Sequence, residues 1–201
     1  MKLACSVLVL VFMIAQCVAY VTAIRKKKGV SPALSTWIIF LIGTALSMTT
    51  YVLAKKKDLL SGAMLGLDFL GVAAILIAIL VWGDRAVRFR PFEKWYLAGC
   101  ITIVGYGLTT GDAFGSNLFA QVIIVAGYLP TFQKFLREKV NSESYFAWSM
   151  GLLSSLSGLA LGLFGHDTLA TIYAIRTLVL ISIVLTIMFA CDARQSRLRT
   201  S

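Results

Sequence analysis

Long runs of apolar residues alternate with short polar and basic segments along the whole chain. Seven runs of 16 to 23 residues stand out, at 3–24, 33–54, 61–83, 95–110, 113–133, 145–164 and 169–190. A helix of about 20 apolar residues is long enough to cross the hydrocarbon core of a bilayer. The pattern therefore predicts an all-α membrane protein with seven transmembrane helices.

Two charged residues interrupt this pattern. Asp68 and Arg176 each lie about seven residues inside an apolar run, and each follows a tyrosine (Tyr20 or Tyr128) by 48 residues. At 1.5 Å per residue, both charges are about 10 Å inside the predicted membrane boundary. A charge at such a depth is costly in lipid and normally faces a bundle interior, a partner or a water-filled path. Two opposite charges at one depth indicate a candidate site.

This spacing belongs to an internal repeat. A shift of 108 residues without gaps superposes the first three predicted spans on the last three, with the identities Tyr20/Tyr128, Lys26/Lys134, Gly43/Gly151, Ser47/Ser155, Leu53/Leu161 and Asp84/Asp192. Two three-helix units in one orientation need an odd number of spans between them, which the segment 95–110 supplies. The prediction is a 3+1+3 parallel repeat, and transport sites commonly lie at the interface of such repeats.

The predicted organisation has four parts. They are a first three-helix repeat at 3–83, a basic loop and linker helix at 84–112, a second three-helix repeat at 113–191 and a cytoplasmic tail at 192–201.

The net charge of +10 is distributed unevenly over the predicted loops. Fourteen of the 19 Lys and Arg residues fall in loops on one side of the predicted topology, and four fall on the other side. The positive-inside rule then places the amino terminus outside and the carboxyl tail in the cytoplasm. The basic residues are therefore interpreted as topological signals in a multi-pass membrane protein. We expect the lipid bilayer as its surrounding and no nucleic acid as a partner.

The residue types that carry most enzyme chemistry are sparse. Cys5, Cys17, Cys100 and Cys191 form no CxxC pair, and His166 is the sole histidine. These residues predict neither a disulfide framework nor a metal site. The sequence contains no catalytic nucleophile motif and no phosphate-binding loop, so we expect neither an enzyme nor a cofactor.

Small residues recur at the spacing of helix contacts. Gly62 and Gly66 form a GxxxG pair, and Ser154, Gly158 and Gly162 share one face of the sixth span. Such stripes allow helix backbones to approach closely in lipid. We interpret them as packing within the chain, with a homodimer contact as the alternative.

Segments at corresponding places of the two units carry a resemblance to a known family. The second unit contains Gly127-Tyr-Leu-Pro-Thr-Phe-Gln-Lys134 and Asn141-Ser-Glu-Ser-Tyr-Phe-Ala-Trp148. The first unit contains Ala19-Tyr20, Gly29-Val-Ser-Pro32 and Ser35-Thr-Trp37. They resemble a PQ-loop repeat, in which a helix ends in a Pro-Gln pair, a short basic loop follows, and a Ser-aromatic start opens the next helix. The chain thus resembles the PQ-loop and SWEET transporter superfamily, with its closest likeness to uncharacterised bacterial membrane members. This likeness implies the bacterial inner (plasma) membrane.

The chain departs from the family pattern at two places. Pro130-Thr131 stands where Pro-Gln is typical, and Thr22 occupies the proline position of the first unit. The resemblance implies that Pro130 is a hinge, since a proline removes one helix hydrogen bond. Sugar-carrying relatives typically place paired asparagines on the third helices, where this chain has Asp68 and Arg176. A carboxylate and a guanidinium suit a zwitterion, a charged solute or a proton better than a plain sugar.

The charged pair admits three interpretations. It is a structural lock between the units, a solute or proton site, or an unpaired set in which Arg176 snorkels outward past Tyr173. Further candidates for the site are Tyr51, Tyr173, Gln16, Asn117 and Gln121. Interfacial anchoring is the alternative for the tyrosines, and hydrogen bonding between helices is the alternative for the amides.

Two tryptophans mark the predicted cytoplasmic boundary. Trp37 and Trp148 each follow the start of the second helix of a unit by a few residues. We interpret them as interfacial belt residues, with a gating role as the alternative.

Two functions follow from these features. The first is a transporter of a small polar or charged solute that works by alternating access without ATP. The second is a non-transporting membrane receptor or scaffold of the same fold, which docks partners through its basic loops. A cavity that is continuous with one face and lined by Asp68 and Arg176 favours the first function, whereas direct contact between them in a dry core favours a structural lock or the second function.

Overall fold

Helices long and apolar enough to cross a membrane dominate the protein. A computed structural model describes residues 1–26, 30–54, 58, 60, 62–83, 95, 98–99, 102, 105–106 and 109–200. Its helices are α1 (Lys2–Arg25), α2 (Leu34–Leu53), α3 (Ala63–Trp82), α4 (Ala113–Gly127), α5 (Leu129–Glu138), α6 (Tyr145–Gly165) and α7 (Thr168–Thr200). With α4 and α5 taken together as Ala113–Glu138, the described residues contain six candidate spans. The prediction of an all-helical, multi-pass membrane protein is confirmed at this level.

The predicted boundaries differ from the observed ones at two places. Helix α7 continues to Thr200, so the predicted tail at 192–201 is helical up to that residue. Its 33 residues extend for about 50 Å, which exceeds the roughly 30 Å core of a bilayer. Half of the predicted fourth span at 95–110 lies outside the described residues. The eight described positions within it are helical and exposed.

The two halves of the chain use the same packing order. In the first unit, α1 to α3, both α1 and α2 pack against α3. In the second unit, α4 to α7, both α4 and α6 pack against α7. The units meet through α1 on α6 and through α2 on α4, and α3 touches α7. In each unit one helix packs against the other two: α3 in the first unit and α7 in the second. The first long helix of each unit (α1 or α4) contacts the next long helix of the other unit (α6 or α2).

Equivalent glycines mediate the two contacts between units. A Cβ atom on Gly43 of α2 would lie 2.5 Å from Cγ1 of Ile124 on α4. A Cβ atom on Gly151 of α6 would lie 2.9 Å from Nε2 of Gln16 on α1. Gly43 and Gly151, like Gln16 and Ile124, are 108 residues apart. The same offset therefore describes two separate close contacts between helices.

The stripes of small residues are used unequally. Gly158 faces the sulfur of Met64 on α3, and Gly162 packs on Thr171 of α7. Gly62 faces the ring of Tyr51. A Cβ atom on Gly66 would meet no described atom within 4 Å. Of the GxxxG pair, Gly62 therefore meets a described helix and Gly66 does not.

The second unit contains a helix break that the first unit lacks. Helix α4 ends at Gly127, and Pro130 lies in the first turn of α5. A proline cannot donate the helix hydrogen bond and clashes with the carbonyl four residues earlier, so the helix is interrupted at Tyr128. Thr22 occupies the equivalent position in α1, which runs without a break to Arg25. The hinge role of Pro130 remains a prediction.

A tight turn at His166 and Asp167 joins α6 to α7. His166 adopts a left-handed conformation with φ of 53°, and the Asp167 amide donates to the Gly162 carbonyl oxygen at 3.0 Å. The Asp167 carboxylate then accepts from the Ala170 amide at 2.9 Å at the start of α7. This pattern ends one helix and caps the next. Both residues therefore serve the turn between two spans.

Candidate functional site

A cavity of about 50 Å³ lies between the two units. Its polar lining side chains are Gln16 on α1, Thr44 on α2, Asp68 on α3, Ser155 on α6, and Arg176 and Thr177 on α7. Most of the remaining wall is aliphatic or aromatic. By the measure in which one water needs roughly 10–15 Å³, the cavity has room for a few waters or a small ligand. Both intramembrane charges thus face one internal space.

Tyr173 contacts both charged side chains, Asp68 and Arg176. Its hydroxyl donates a hydrogen bond to the Asp68 carboxylate. The Arg176 guanidinium carbon lies 4.4 Å from the centre of the Tyr173 ring, in a cation–π contact. The tyrosine is fully buried. It therefore satisfies the carboxylate through its hydroxyl while its ring holds the guanidinium.

The guanidinium itself is left largely without acceptors. Nη2 of Arg176 donates to Oγ1 of Thr177 at 2.9 Å. Nε and Nη1 are buried, and no described atom accepts a hydrogen bond from either. The ion pairs found among described residues are Lys2 with Asp58 and Lys134 with Glu138, so Asp68 and Arg176 do not form a direct ion pair. Buried donors normally have hydrogen-bond partners. We therefore expect Nε and Nη1 to donate to an acceptor that does not belong to the described residues.

Aromatic rings cover one side of the cavity. The ring centroids of Trp37 and Phe40 are 5.8 Å apart, those of Phe40 and Tyr128 are 4.7 Å apart, and those of Tyr128 and Trp148 are 6.2 Å apart. Trp37 and Trp148 are each only 4% exposed. A belt tryptophan faces the interface between lipid and water. The belt interpretation of these two residues was therefore wrong, because both point into the protein and line the cavity.

A buried carboxylate lies behind this aromatic wall. Glu143, in the loop before α6, accepts from the Tyr20 hydroxyl and from Nε1 of Trp148 at 3.2 Å. Burial raises the pKa of the Glu143 carboxyl, while these two hydrogen bonds and the charge of Lys134 oppose the rise. Thr36 and Thr131 share a hydrogen bond of 3.0 Å near the same place. We call this region the Glu143 end.

Further polar contacts close the Glu143 end. The Ser31 amide donates to the Ser142 carbonyl oxygen at 3.0 Å, and Lys134 donates to the Ser31 carbonyl oxygen. Tyr20, Ser31 and Thr36 belong to the first unit, whereas their partners belong to the second. The closure at this end is therefore made by hydrogen bonds between units.

The opposite end, which we call the Asp167 end, is closed in a similar way. The Tyr51 hydroxyl of α2 donates to the Asp167 carboxylate. The Asp58 amide donates to the same carboxylate at 3.1 Å, and Lys2 forms an ion pair of 3.0 Å with the Asp58 side chain. Tyr51 therefore lies in the contact between units at this end and does not line the cavity.

Two of the candidate amides also lie outside the cavity wall. Nδ2 of Asn117 on α4 donates to the Ser47 carbonyl oxygen at 2.8 Å and to Oγ1 of Thr50 at 2.9 Å. Nε2 of Gln121 donates to Oγ of Ser47 at 2.9 Å. Both amides tie α4 to α2, which is the alternative considered for them. The structure thus brings Asp68, Arg176, Tyr173 and Gln16 together and places Tyr51, Asn117 and Gln121 elsewhere.

Several residues of the site could not be selected from the sequence. Glu143 occupies a short polar loop after Lys139, where a solvated carboxylate is the ordinary expectation. Asp167 looked like a loop residue beside His166. Thr44 and Ser155 are common residue types in packed membrane helices. One feature of the sequence could have indicated Thr44 and Ser155. The identities Ser47/Ser155 and Gly43/Gly151 at the 108-residue offset mark the faces of α2 and α6 that meet the other unit.

The arrangement can bind a charged group. Among the described residues, no three His, Cys, Asp or Glu side chains lie close enough together to hold a metal ion. The cavity combines one carboxylate, one guanidinium with free donors, a few hydroxyl and amide groups, and an apolar wall. Such a lining favours reversible binding of a small charged molecule.

No protein-family model matches this chain, and no curated protein and no solved structure matches it either.

Proposed function

We propose that the protein is a small-solute transporter that works by alternating access without ATP and binds its solute between the two units. The observation that carries this proposal is the internal cavity in which the Arg176 guanidinium faces Asp68 yet has two donors without acceptors. A charge buried in a membrane protein is retained where it serves a pathway or a partner. A lock between units would instead pair the two charges directly.

The closures at both ends support this proposal. At the Glu143 end, Tyr20, Ser31 and Thr36 bond across the unit interface, and at the Asp167 end Tyr51 does so. The cavity lies between these two sets of contacts, as in an occluded state of a carrier. Each set consists of a few hydrogen bonds, each with a net contribution of about 1 kcal/mol. Opening one set at a time would expose the cavity to one side and then to the other.

The helix contacts support the 3+1+3 arrangement that we propose for the whole chain. Helix α3 ends beside α1 at the Glu143 end, since Arg25 lies 5.8 Å from the Trp82 ring. Helix α4 begins near the Asp167 end, where Asn117 contacts Thr50. The connection between α3 and α4 therefore starts and finishes at opposite ends. A crossing by the segment 95–110 would give seven spans and two units in parallel orientation, as in the PQ-loop and SWEET superfamily that the sequence resembles.

Uptake into proteoliposomes tests the proposal. Purified full-length protein should be screened with radiolabelled organic acids, amino acids and sugars, with and without a pH gradient. We expect saturable uptake of at least one charged solute, reduced at least about tenfold by Arg176→Gln because the cavity then lacks its cation. Arg25→Gln, which removes an exposed arginine outside the cavity, is the matched control and should leave uptake unchanged. Absence of uptake for every solute, with binding retained, would support the receptor or scaffold function instead.

A further inference from the structure

The chemistry of the cavity narrows the class of ligand, and this inference rests on the proposed function because it concerns the same site. We propose that the cavity binds a short-chain monocarboxylate, with the carboxylate on the Arg176 guanidinium and the short alkyl group against the apolar wall.

The charge of the ligand follows from the unpaired donors. Nε and Nη1 of Arg176 are buried N–H groups, so a ligand that completes the site must bring acceptor atoms. A guanidinium in a site of low polarity favours an anion over a neutral acceptor, because charge-assisted hydrogen bonds are roughly twice as strong as neutral ones. The planar guanidinium fork also matches the geometry of a carboxylate.

The position of Asp68 argues against a cationic ligand. Its carboxylate already accepts the hydrogen bond of Tyr173, a residue that is fully buried. The Tyr173 ring is occupied by the guanidinium at 4.4 Å, so this face is not open to a second cation. A cation would also stand close to the positive charge of Arg176. The feature that favours an anion is therefore the pair of unpartnered Arg176 donors, Nε and Nη1.

The volume and the apolar wall of the cavity limit the size and the polarity of the part of the ligand beyond its charged group. A volume of about 50 Å³ admits a molecule of roughly four heavy atoms. The side chains of Met64, Val72, Ile75 and Ile181 belong to the apolar part of the wall and offer no hydrogen bonds. A sugar would leave several hydroxyls unpaired there, each at a cost comparable to a lost hydrogen bond. Acetate, with one charged group and one methyl group, matches both the polar and the apolar part.

Equilibrium binding to the detergent-purified full-length chain tests this inference without requiring transport. The probes are acetate, its neutral isostere acetamide, the cation ethylammonium and the bare anion chloride. Tryptophan fluorescence is a suitable signal because Trp37 and Trp148 line the cavity, and displacement of radiolabelled acetate gives an independent reading. We expect saturable binding of acetate at least about tenfold tighter than that of each other probe. Equal or tighter binding of acetamide or ethylammonium, or the absence of acetate binding, would overturn the inference.

Two substitutions should change the affinity for acetate in opposite directions. Arg176→Gln should abolish binding because it removes the cation. Asp68→Asn should strengthen it by about tenfold, since a competing negative charge is lost while an acceptor for Tyr173 is kept. Glu138→Gln, a neutralised carboxylate whose side chain is 50% exposed outside the cavity, should have no effect. Weaker acetate binding in folded Asp68→Asn protein would contradict the assignment, as would unchanged binding in Arg176→Gln.

The results separate this inference from the proposed function. Acetate binding without uptake would retain the ligand class and reject transport. Saturable uptake of a neutral or cationic solute, with no acetate binding, would retain transport and reject the ligand class.

Discussion

At the scale of single residues, Tyr173 changes the interpretation of the two charges, Asp68 and Arg176, that lie inside apolar helices. A direct ion pair would have satisfied both groups and joined the units. Here the tyrosine hydroxyl takes the carboxylate and its ring takes the guanidinium, which leaves two donors of Arg176 free. Tyr173 therefore contacts both charged groups, which do not pair directly with each other.

Glu143 gives a prediction at the same scale. Its pKa is raised by burial, so the folded protein binds a proton more tightly than the unfolded chain does. This contribution to stability is present below the ordinary pKa of a glutamate and is lost as the pH rises through the raised pKa of the folded state. The unfolding midpoint in detergent should therefore fall as the pH rises from below the ordinary pKa of a glutamate to above the raised pKa of Glu143.

The substitution Glu143→Gln should flatten this pH dependence. Glutamine keeps an acceptor for Tyr20 and Trp148 but has no proton to lose. Glu138→Gln is the control, because it neutralises a carboxylate whose side chain is 50% exposed. If Glu143→Gln and the parent protein lose stability in parallel as the pH rises, Glu143 is not the responsible group.

At the scale of helices, the contacts between units depend on which small residues meet a neighbour. Gly43 and Gly151 stand at equivalent positions and each faces a side chain of the other unit. Gly66 looked equally suited to packing in the sequence, yet it meets nothing within 4 Å among the described atoms. A glycine stripe thus shows that a helix can be approached, whereas the neighbouring helices decide where this happens.

Substitution of these glycines should have unequal effects. Gly43→Val should lower the free energy of unfolding by about 1–3 kcal/mol, since its side chain would overlap Ile124. Gly66→Val makes the same change in helix propensity at a position where a Cβ atom meets no described atom within 4 Å. It should leave the free energy of unfolding almost unchanged. Ile124→Ala in the Gly43→Val protein should recover part of the loss. Denaturant or thermal unfolding in detergent measures these differences, and equal destabilisation by the two glycine substitutions would refute the contact.

At the scale of the whole molecule, the basic residues collect at one end. Arg25, Lys26, Lys134, Arg137 and Lys139 lie in the helix ends and loops of the Glu143 end, whereas Lys2 lies at the Asp167 end. This distribution fits an orientation in which the Glu143 end faces the cytoplasm. It also places the long extension of α7, with Arg194 and Arg197, on that side.

Reporter tags on the two termini test this orientation and the number of spans together. We expect the amino-terminal tag to be accessible from outside in intact cells and the carboxyl-terminal tag to be accessible only after permeabilisation. If both tags are accessible from the same side, the number of spans is even. That result would exclude the seven-span arrangement. Reversed accessibility of both tags would keep the span number and overturn the orientation.

Hydrophobic patterning alone located the six described spans to within a few residues, apart from the continuation of α7, and the 108-residue offset related residues that the structure uses equivalently. These features follow from the local sequence, because a bilayer imposes a length and a polarity on each crossing segment. Half of the fourth span lies beyond the described residues, so the count of seven remains a prediction.

Asp68 and Arg176 were identifiable as costly charges at one depth, whereas their separation by Tyr173 was not. Depth is a property of one helix, but the rotation of each helix about its axis is fixed only by its neighbours. Distant neighbours also determine the surroundings of Glu143, which accepts a hydrogen bond from Tyr20, 123 residues away. They likewise determine the burial of Trp37 and Trp148. The sequence by itself determined which segments cross the membrane and how deep their charges lie. Only the packing of distant helices decided which side chains meet, and hence that a guanidinium with free donors faces a small cavity.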